Sequence, residues 1–372
     1  MDPLPASLPW RAAWHEALYG ADRGFYRAAG GPASHFSTAT HGPTGAVLAQ
    51  ALLRLWMTTH SAAPAVIVDV GAGRGELATH LSAALSALSA VATRTEVATR
   101  PEQDGTRTEV ATRPEPDATR TEVATRPGEG ASTRVVAVDV VDRPTSLDDA
   151  VEWVRSPGGA ALPDELRGLT DALVIAHEWL DVVPCVVAQI DDHRRLRRVL
   201  VDPASGRESL GGPLDPAELE WCRSHWPMGR PGDRVEVGLS RDAAWRGLLD
   251  RVRSGLVVAV DYGHTRATRP PEGTLTAYAS GRQVSPVPDG SCDITSHVAI
   301  DSLGARRVAL QRDVLRELGV SGRLPDHTAA AADPLAYLRA LETCSAQAAL
   351  IDPDGYGAFW WAIEPVSGGD VA

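Results

Sequence analysis

The stretch with the most chemistry in it is Val68-Asp69-Val70-Gly71-Ala72-Gly73-Arg74-Gly75-Glu76. Glycines at 71, 73 and 75 let a chain turn sharply and bring its backbone close to a ligand. A helix starting just beyond them would aim unpaired N–H groups at an anionic group. Asp69, two residues before the first glycine, would face a cation on the same ligand. A dinucleotide loop would want its third glycine at 76. The chain has Glu76 there, whose charge would repel a pyrophosphate, so a nicotinamide dehydrogenase is disfavoured.

Asp139 ends a second β-branched run, Val135–Asp139, where a carboxylate can accept hydrogen bonds from both hydroxyls of a ribose; a plain solvated strand end is the alternative. His177-Glu178-Trp179-Leu180-Asp181-Val182-Val183-Pro184 follows a third buried run. Ligands of open α/β sheets sit at the carboxyl ends of strands, which puts Glu178 and Asp181 beside them. A carboxylate there could grip a guanidinium in a fork and orient one nitrogen; equally, both acids could start a helix. Asp261-Tyr262-Gly263-His264 ends a further buried run. In Asp293-Ile294-Thr295-Ser296-His297 the alternation puts Asp293, Thr295 and His297 on one face, with a structural role the first reading for His297.

The elements that would position these groups are legible from pattern. Ala65–Val70 reads as a fully buried strand, and the Ala- and Leu-rich Glu76–Ala92 as a helix. Strand, glycine loop and helix in that order open a doubly wound sheet. Strands are expected at Val135–Asp139, Val151–Val154, Ala172–Ala176 and Leu256–Asp261, and helices at Gly45–Met57, Pro216–Trp226, Arg241–Arg253 and Val308–Leu318. Val186–Ile190 and Leu196–Val201 around Asp191-Asp192-His193 suggest a hairpin. Further segments are Thr274–Tyr278, Ile294–Ile300 and Phe359–Ile363. The motif Thr-Arg-Thr-Glu-Val-Ala-Thr-Arg-Pro begins at 93, 106 and 119, a step of 13 residues. That step fits no solenoid module. Its polar, Pro-punctuated composition predicts a disordered insertion over 93–132 with no core of its own.

Composition narrows the class. The chain has 372 residues and 44% hydrophobic content, and it carries a net charge of −12 with arginine as its only basic residue. An acidic chain is a poor binder of nucleic-acid backbones. Arg194, Arg195, Arg197 and Arg198 read as a solvated hairpin face. No apolar run approaches the roughly 20 residues of a membrane helix, and the amino terminus has no secretion signal, so a cytoplasmic protein without membrane insertion is expected. Cys185, Cys222, Cys292 and Cys344 form no metal-binding spacing and are expected to be reduced thiols.

Taken together, the chain resembles the MidA-like methyltransferase family, whose mitochondrial members are complex I assembly factors. The resemblance rests on Phe36-Ser37-Thr38-Ala39, Val68–Gly75, Val138-Asp139, His177–Pro184, Asp261-Tyr262-Gly263, Thr274–Tyr278, Asp293–Val298 and Leu350–Gly357, in family order. It implies a seven-stranded, mostly parallel, Rossmann-like class I methyltransferase sheet with β insertions. It also implies S-adenosyl-L-methionine as cofactor, held by Asp69, Gly71, Gly73, Gly75 and Asp139 with Thr38 lying over it from the amino-terminal segment. Glu178 and Asp181 would place the acceptor, a protein side chain with arginine as best guess. The chain departs from the family at Ser34-His35 (usually Gly-Asp), His177 (usually Asn) and Ser285 (usually Asp), all on the acceptor side. A SAM-binding assembly factor with impaired catalysis is therefore the alternative. The expected organisation is an amino-terminal helical cap over 1–60 and a methyltransferase domain over 61–372, with a hairpin and helical insertion at about 184–232. A homodimer is compatible with this reading, and no metal is expected.

Overall fold

The computed structural model describes residues 7–27, 38–99, 132–227 and 229–368. Seven short runs, mostly rich in Val, Ile and Ala, form its main sheet. In chain order they are β1 (Val66–Val70), β2 (Arg134–Asp139), β3 (Val151–Arg155), β4 (Ala172–His177), β5 (Gly255–Asp261), β6 (Arg307–Leu310) and β7 (Trp360–Val366). In space the order is β6-β7-β5-β4-β1-β2-β3. Only β7 runs against its neighbours β5 and β6; the other pairings are parallel. The expected mostly parallel sheet is thus a mixed one.

Both faces are covered, which is why the central strands are apolar along most of their length, with Asp69, His177 and Asp261 at or next to their carboxyl ends. Ile67, Leu173, Ile175 and Val258 pack on one face under helices Gly42–Met57, Glu76–Thr99, Gln311–Glu317 and Pro334–Ile351. Val66, Val68, Val174 and Val257 pack on the other under helix Leu239–Leu249 and the turn holding Trp179 and Leu180. The strand order reverses between β1 and β4, and a doubly wound sheet opens its binding crevice at such a switch point.

The chain after β4 builds a second layer. Val186–Ile190, Leu196–Val201, Glu208–Pro213 and Arg234–Val237 form an antiparallel sheet with the two-residue strand Leu8–Pro9. Thr276–Ala279 pairs with Arg282–Val284 and Asp293–Thr295 in a smaller one. Helix Trp10–Tyr19 packs between them, with Trp10, Trp14 and Leu18 buried. Trp14 Nε1 donates to the Ile294 carbonyl at 2.8 Å. The two α-helices among the described residues of the first 60 therefore sit on different layers: Trp10–Tyr19 on the second, Gly42–Met57 on the main sheet.

Three expectations change. The helix read as Glu76–Ala92 continues to Thr99, through most of the first repeat copy. No Gly or Pro interrupts it before Pro101, and propagating a helix is far easier than starting one. The rest of the repeat lies outside the described residues. Val308–Leu318, read as one helix, is strand β6 followed by a helix from Gln311, because Arg307–Leu310 finds pairing partners on β7. Ile294–Ile300 is not one strand: pairing stops at Thr295 and a separate two-residue strand, Val298–Ala299, follows. The Arg194–Arg198 face is paired largely within the chain, with Arg195 on Asp191 and Arg198 on Asp215 and Glu218. All four cysteines are free thiols. No helix among the described residues is long and apolar enough to cross a membrane.

Candidate active site

At the carboxyl ends of β1, β2 and β4, closed over by the second layer, lies a cavity of about 750 Å³. Thr38, Asp69, Gly71, Gly73, Asp139, Glu178 and Asp181 all line it. Gly75 does not. At φ +82° a Cβ on it would fall 2.6 Å from Leu147 Cδ1, so it serves the close packing beneath the loop.

The glycine loop is held by its neighbour strand. Gly71 and Ala72 donate their N–H groups to the Val138 carbonyl at 2.9 and 3.1 Å. Asp139 Oδ2 accepts from Gly73 N–H at 2.8 Å, and Oδ1 from Val140 N–H at 2.7 Å. A carboxylate has about four acceptor positions, so Asp139 anchors the loop and can still accept from a ligand. Asp69 is buried, its Oδ2 has no hydrogen-bond partner, and burial pushes its pKa up to about 7. Burial likewise raises Asp139 to about 6. A buried carboxylate oxygen without a partner is costly unless a ligand supplies one. Glu76 caps the loop: Oε2 accepts from Arg74 N–H at 3.0 Å, and Oε1 lies 3.3 Å from His41 Nε2.

The other half of the cavity is acidic. The Glu178–Val183 segment is a turn, not a helix start, so Glu178 and Asp181 do not serve as helix-terminal charges. Glu178 sits at φ +52°, a left-handed conformation unfavourable for a side-chain residue. Its N–H donates to Val260 at 2.8 Å, while buried Oε1 has no hydrogen-bond partner. Burial lifts its pKa to about 8, with Asp181 and Asp293 adding to the rise. His177 Nδ1 is 3.4 Å away. Burial lowers that imidazole to about 3, so the contact is not an ion pair.

Asp181 is buried, accepts Thr295 Oγ1–H at 2.8 Å on Oδ2, and shares a side-chain hydrogen bond with Asp261. Its N–H donates to Asp261 Oδ1 at 3.3 Å. Asp261 is wholly buried and held well above the usual carboxylate range, first by burial and then by Asp181. Asp293 accepts the Tyr26 hydroxyl at 2.6 Å, and burial raises it to about 7. Among the described residues no three His, Cys, Asp or Glu side chains are grouped to hold a metal ion.

Arg241, 1% exposed, holds this half in shape. Its guanidinium donates to the carbonyls of Asp181, Val183, Ser296 and His297 and to Ser296 Oγ. Pattern reading did not find Arg241, Tyr26 or His41, because nothing local marks them. Of the three residues expected on one face, Asp293 and Thr295 line the cavity and His297 does not. The strand ends at Thr295, so the alternation breaks there. Ser34-His35 and Phe36-Ser37 lie outside the described residues. Ser285 is outside the cavity lining.

The fold is an α/β architecture with its cavity at the carboxyl ends of the central strands, and the comparisons with known proteins say which family it belongs to. Residues 47–320 match the model of a family described as "Putative S-adenosyl-L-methionine-dependent methyltransferase". The chain belongs to that family, consistent with the MidA-like resemblance of its motifs. Two crystal structures of Burkholderia thailandensis proteins of one superfamily share the fold, each at 20% identity and covering 98% of this chain and 89% of the other. One is an uncharacterized protein (TM-score 0.67), the other a member bound to S-adenosyl-homocysteine (TM-score 0.66). A search of curated proteins finds no match.

The cofactor is S-adenosyl-L-methionine, and the residues present fit it. The positive-φ glycines 71 and 73 bring bare backbone to the cavity wall, and Asp69 keeps an oxygen without a hydrogen-bond partner. Asp139 stands at the next strand end.

Proposed function

We propose that the chain methylates a guanidinium, most simply that of a protein arginine. The observation that carries this is the pair of buried carboxylates, Glu178 and Asp181, lining the same cavity as Asp69 and Asp139, with Glu178 Oε1 left without a hydrogen-bond partner. Asp293 stands beside them, and Tyr26, Tyr262 and Tyr278 complete the wall. Carboxylates and aromatic faces together favour a planar cation.

When bound, S-adenosylmethionine supplies a methyl group on a sulfonium sulfur. The chain's own work is alignment. Asp69 and the glycine loop fix the amino-acid end, and Asp139 the ribose. Glu178 and Asp181 hold the acceptor so that one nitrogen points along the line of displacement. Glu178 takes the proton released as that nitrogen is alkylated; its raised pKa suits a base working near neutrality.

The test is transfer of labelled methyl groups into lysate proteins, with mass mapping of the modified residue, wild type against Glu178→Gln. Label on arginine that vanishes in the variant supports the reading; label on another side chain overturns it. A second reading, a SAM-binding assembly factor without turnover, is favoured by His177. This neutral, buried ring with no partner on Nε2 stands where the family resemblance implies Asn. Cofactor binding without any incorporation would select it.

A further inference from the structure

Thr38, Thr40 and His41 reach the cavity from the amino-terminal side, just before helix Gly42–Met57. His41 is the residue around which they fold. Its Nδ1 accepts the Thr38 N–H at 3.1 Å, with Thr38 Oγ1 at 2.9 Å. The Thr38 and Thr40 hydroxyls lie 2.6 Å apart. Because Nδ1 accepts from a backbone amide, the ring proton sits on Nε2. Nε2 faces Glu76 Oε1 at 3.3 Å, and the other oxygen of Glu76 accepts from Arg74 in the glycine loop. The ring thus spans two chain segments, one through each nitrogen. Gly45 makes the approach feasible: a Cβ there would lie 1.9 Å from the Thr40 carbonyl oxygen.

We infer that His41 is a positioning residue that fastens the Thr38–Thr40 segment to the glycine loop through Glu76, so that the threonine hydroxyls wall the cofactor half of the cavity. This rests on the cofactor assignment. It gives Glu76 a task beyond discouraging a pyrophosphate.

S-adenosylhomocysteine has no methyl to transfer, so calorimetric titration with it reads the latch without turnover. His41→Ala is expected to weaken binding about tenfold, the scale of one lost hydrogen bond to a charged group. His41→Gln, whose amide nitrogen can reach the place of Nε2, recovers most of the affinity. His41→Asn can keep the Thr38 contact but cannot span to Glu76, and stays weak. In a double-mutant cycle, His41→Ala with Glu76→Ala is no worse than the weaker single variant. Equal affinity in wild type and His41→Ala, or losses that simply add, would overturn the latch. If His41→Ala fails to fold, the Gln and Asn variants decide: equal affinity in both overturns it. Wild-type protein that does not bind S-adenosylhomocysteine removes the cofactor from this cavity, and the latch with it.

Discussion

Asp139 Oδ2 accepts the Gly73 amide proton at 2.8 Å, so the acid ending β2 also ties down the glycine loop that leaves β1. On the proposed reading this one residue has two tasks, shaping the loop and meeting the ligand. Asp139→Ala should weaken S-adenosylhomocysteine binding by about 1–3 kcal/mol, the range for losing a charged acceptor. Titration calorimetry checks this, and unchanged affinity would remove Asp139 from the site.

Asp69 should make cofactor affinity depend on pH. With its pKa near 7 in the unliganded protein, about a tenth of it is ionised at pH 6 and nearly all at pH 8. A ligand ammonium needs the ionised form, so affinity should rise about tenfold from pH 6 to 8 and level off above. Asp69→Asn should bind weakly and flatten that dependence. Stability of the unliganded protein runs the other way. A carboxylate with a raised folded pKa contributes most below its unfolded value and loses that contribution as pH rises through the folded one. Asp69→Asn should therefore unfold at higher denaturant than wild type at pH 8, with little difference at pH 4.

Glu178 should show a trade between stability and activity. At φ +52° a glycine avoids strain of about 1–2 kcal/mol, and it removes a buried carboxylate oxygen with no partner. Glu178→Gly is expected to raise the denaturation midpoint while abolishing methyl transfer. A destabilised variant, or one that still turns over, would contradict the role given to Glu178.

Arg241 should be intolerant even of Lys. Its planar group serves carbonyls on the 181–183 and 296–297 segments at once, and one ammonium cannot reach them all. Arg241→Met should cost about 3 kcal/mol or more by leaving buried carbonyls unsatisfied. Urea unfolding of the unliganded protein measures it.

What could be read from residues alone was whatever is periodic or local. β1, β2, β4 and β5 announce themselves because a strand buried on both faces is apolar along most of its length. The glycine loop follows from backbone sterics, and Asp69, Asp139, Glu178 and Asp181 from their place at strand ends. Even the error at Val308–Leu318 is local in origin, since a four-residue edge strand carries too little pattern to outweigh the helix behind it. The tertiary structure decided everything that joins distant segments. Tyr26 and Asp293 are separated by 267 positions, and Arg241 lies 60 beyond the Asp181 carbonyl it grips. Such pairs depend on how the layer inserted after β4 folds back over the sheet edge, which no spacing encodes. The glycine loop could name a ligand with an anionic end. Only the folded chain put His41 on Glu76 and gathered Glu178, Asp181 and Asp293 around one space, because burial and mutual repulsion act through distance in the fold, not distance along the chain.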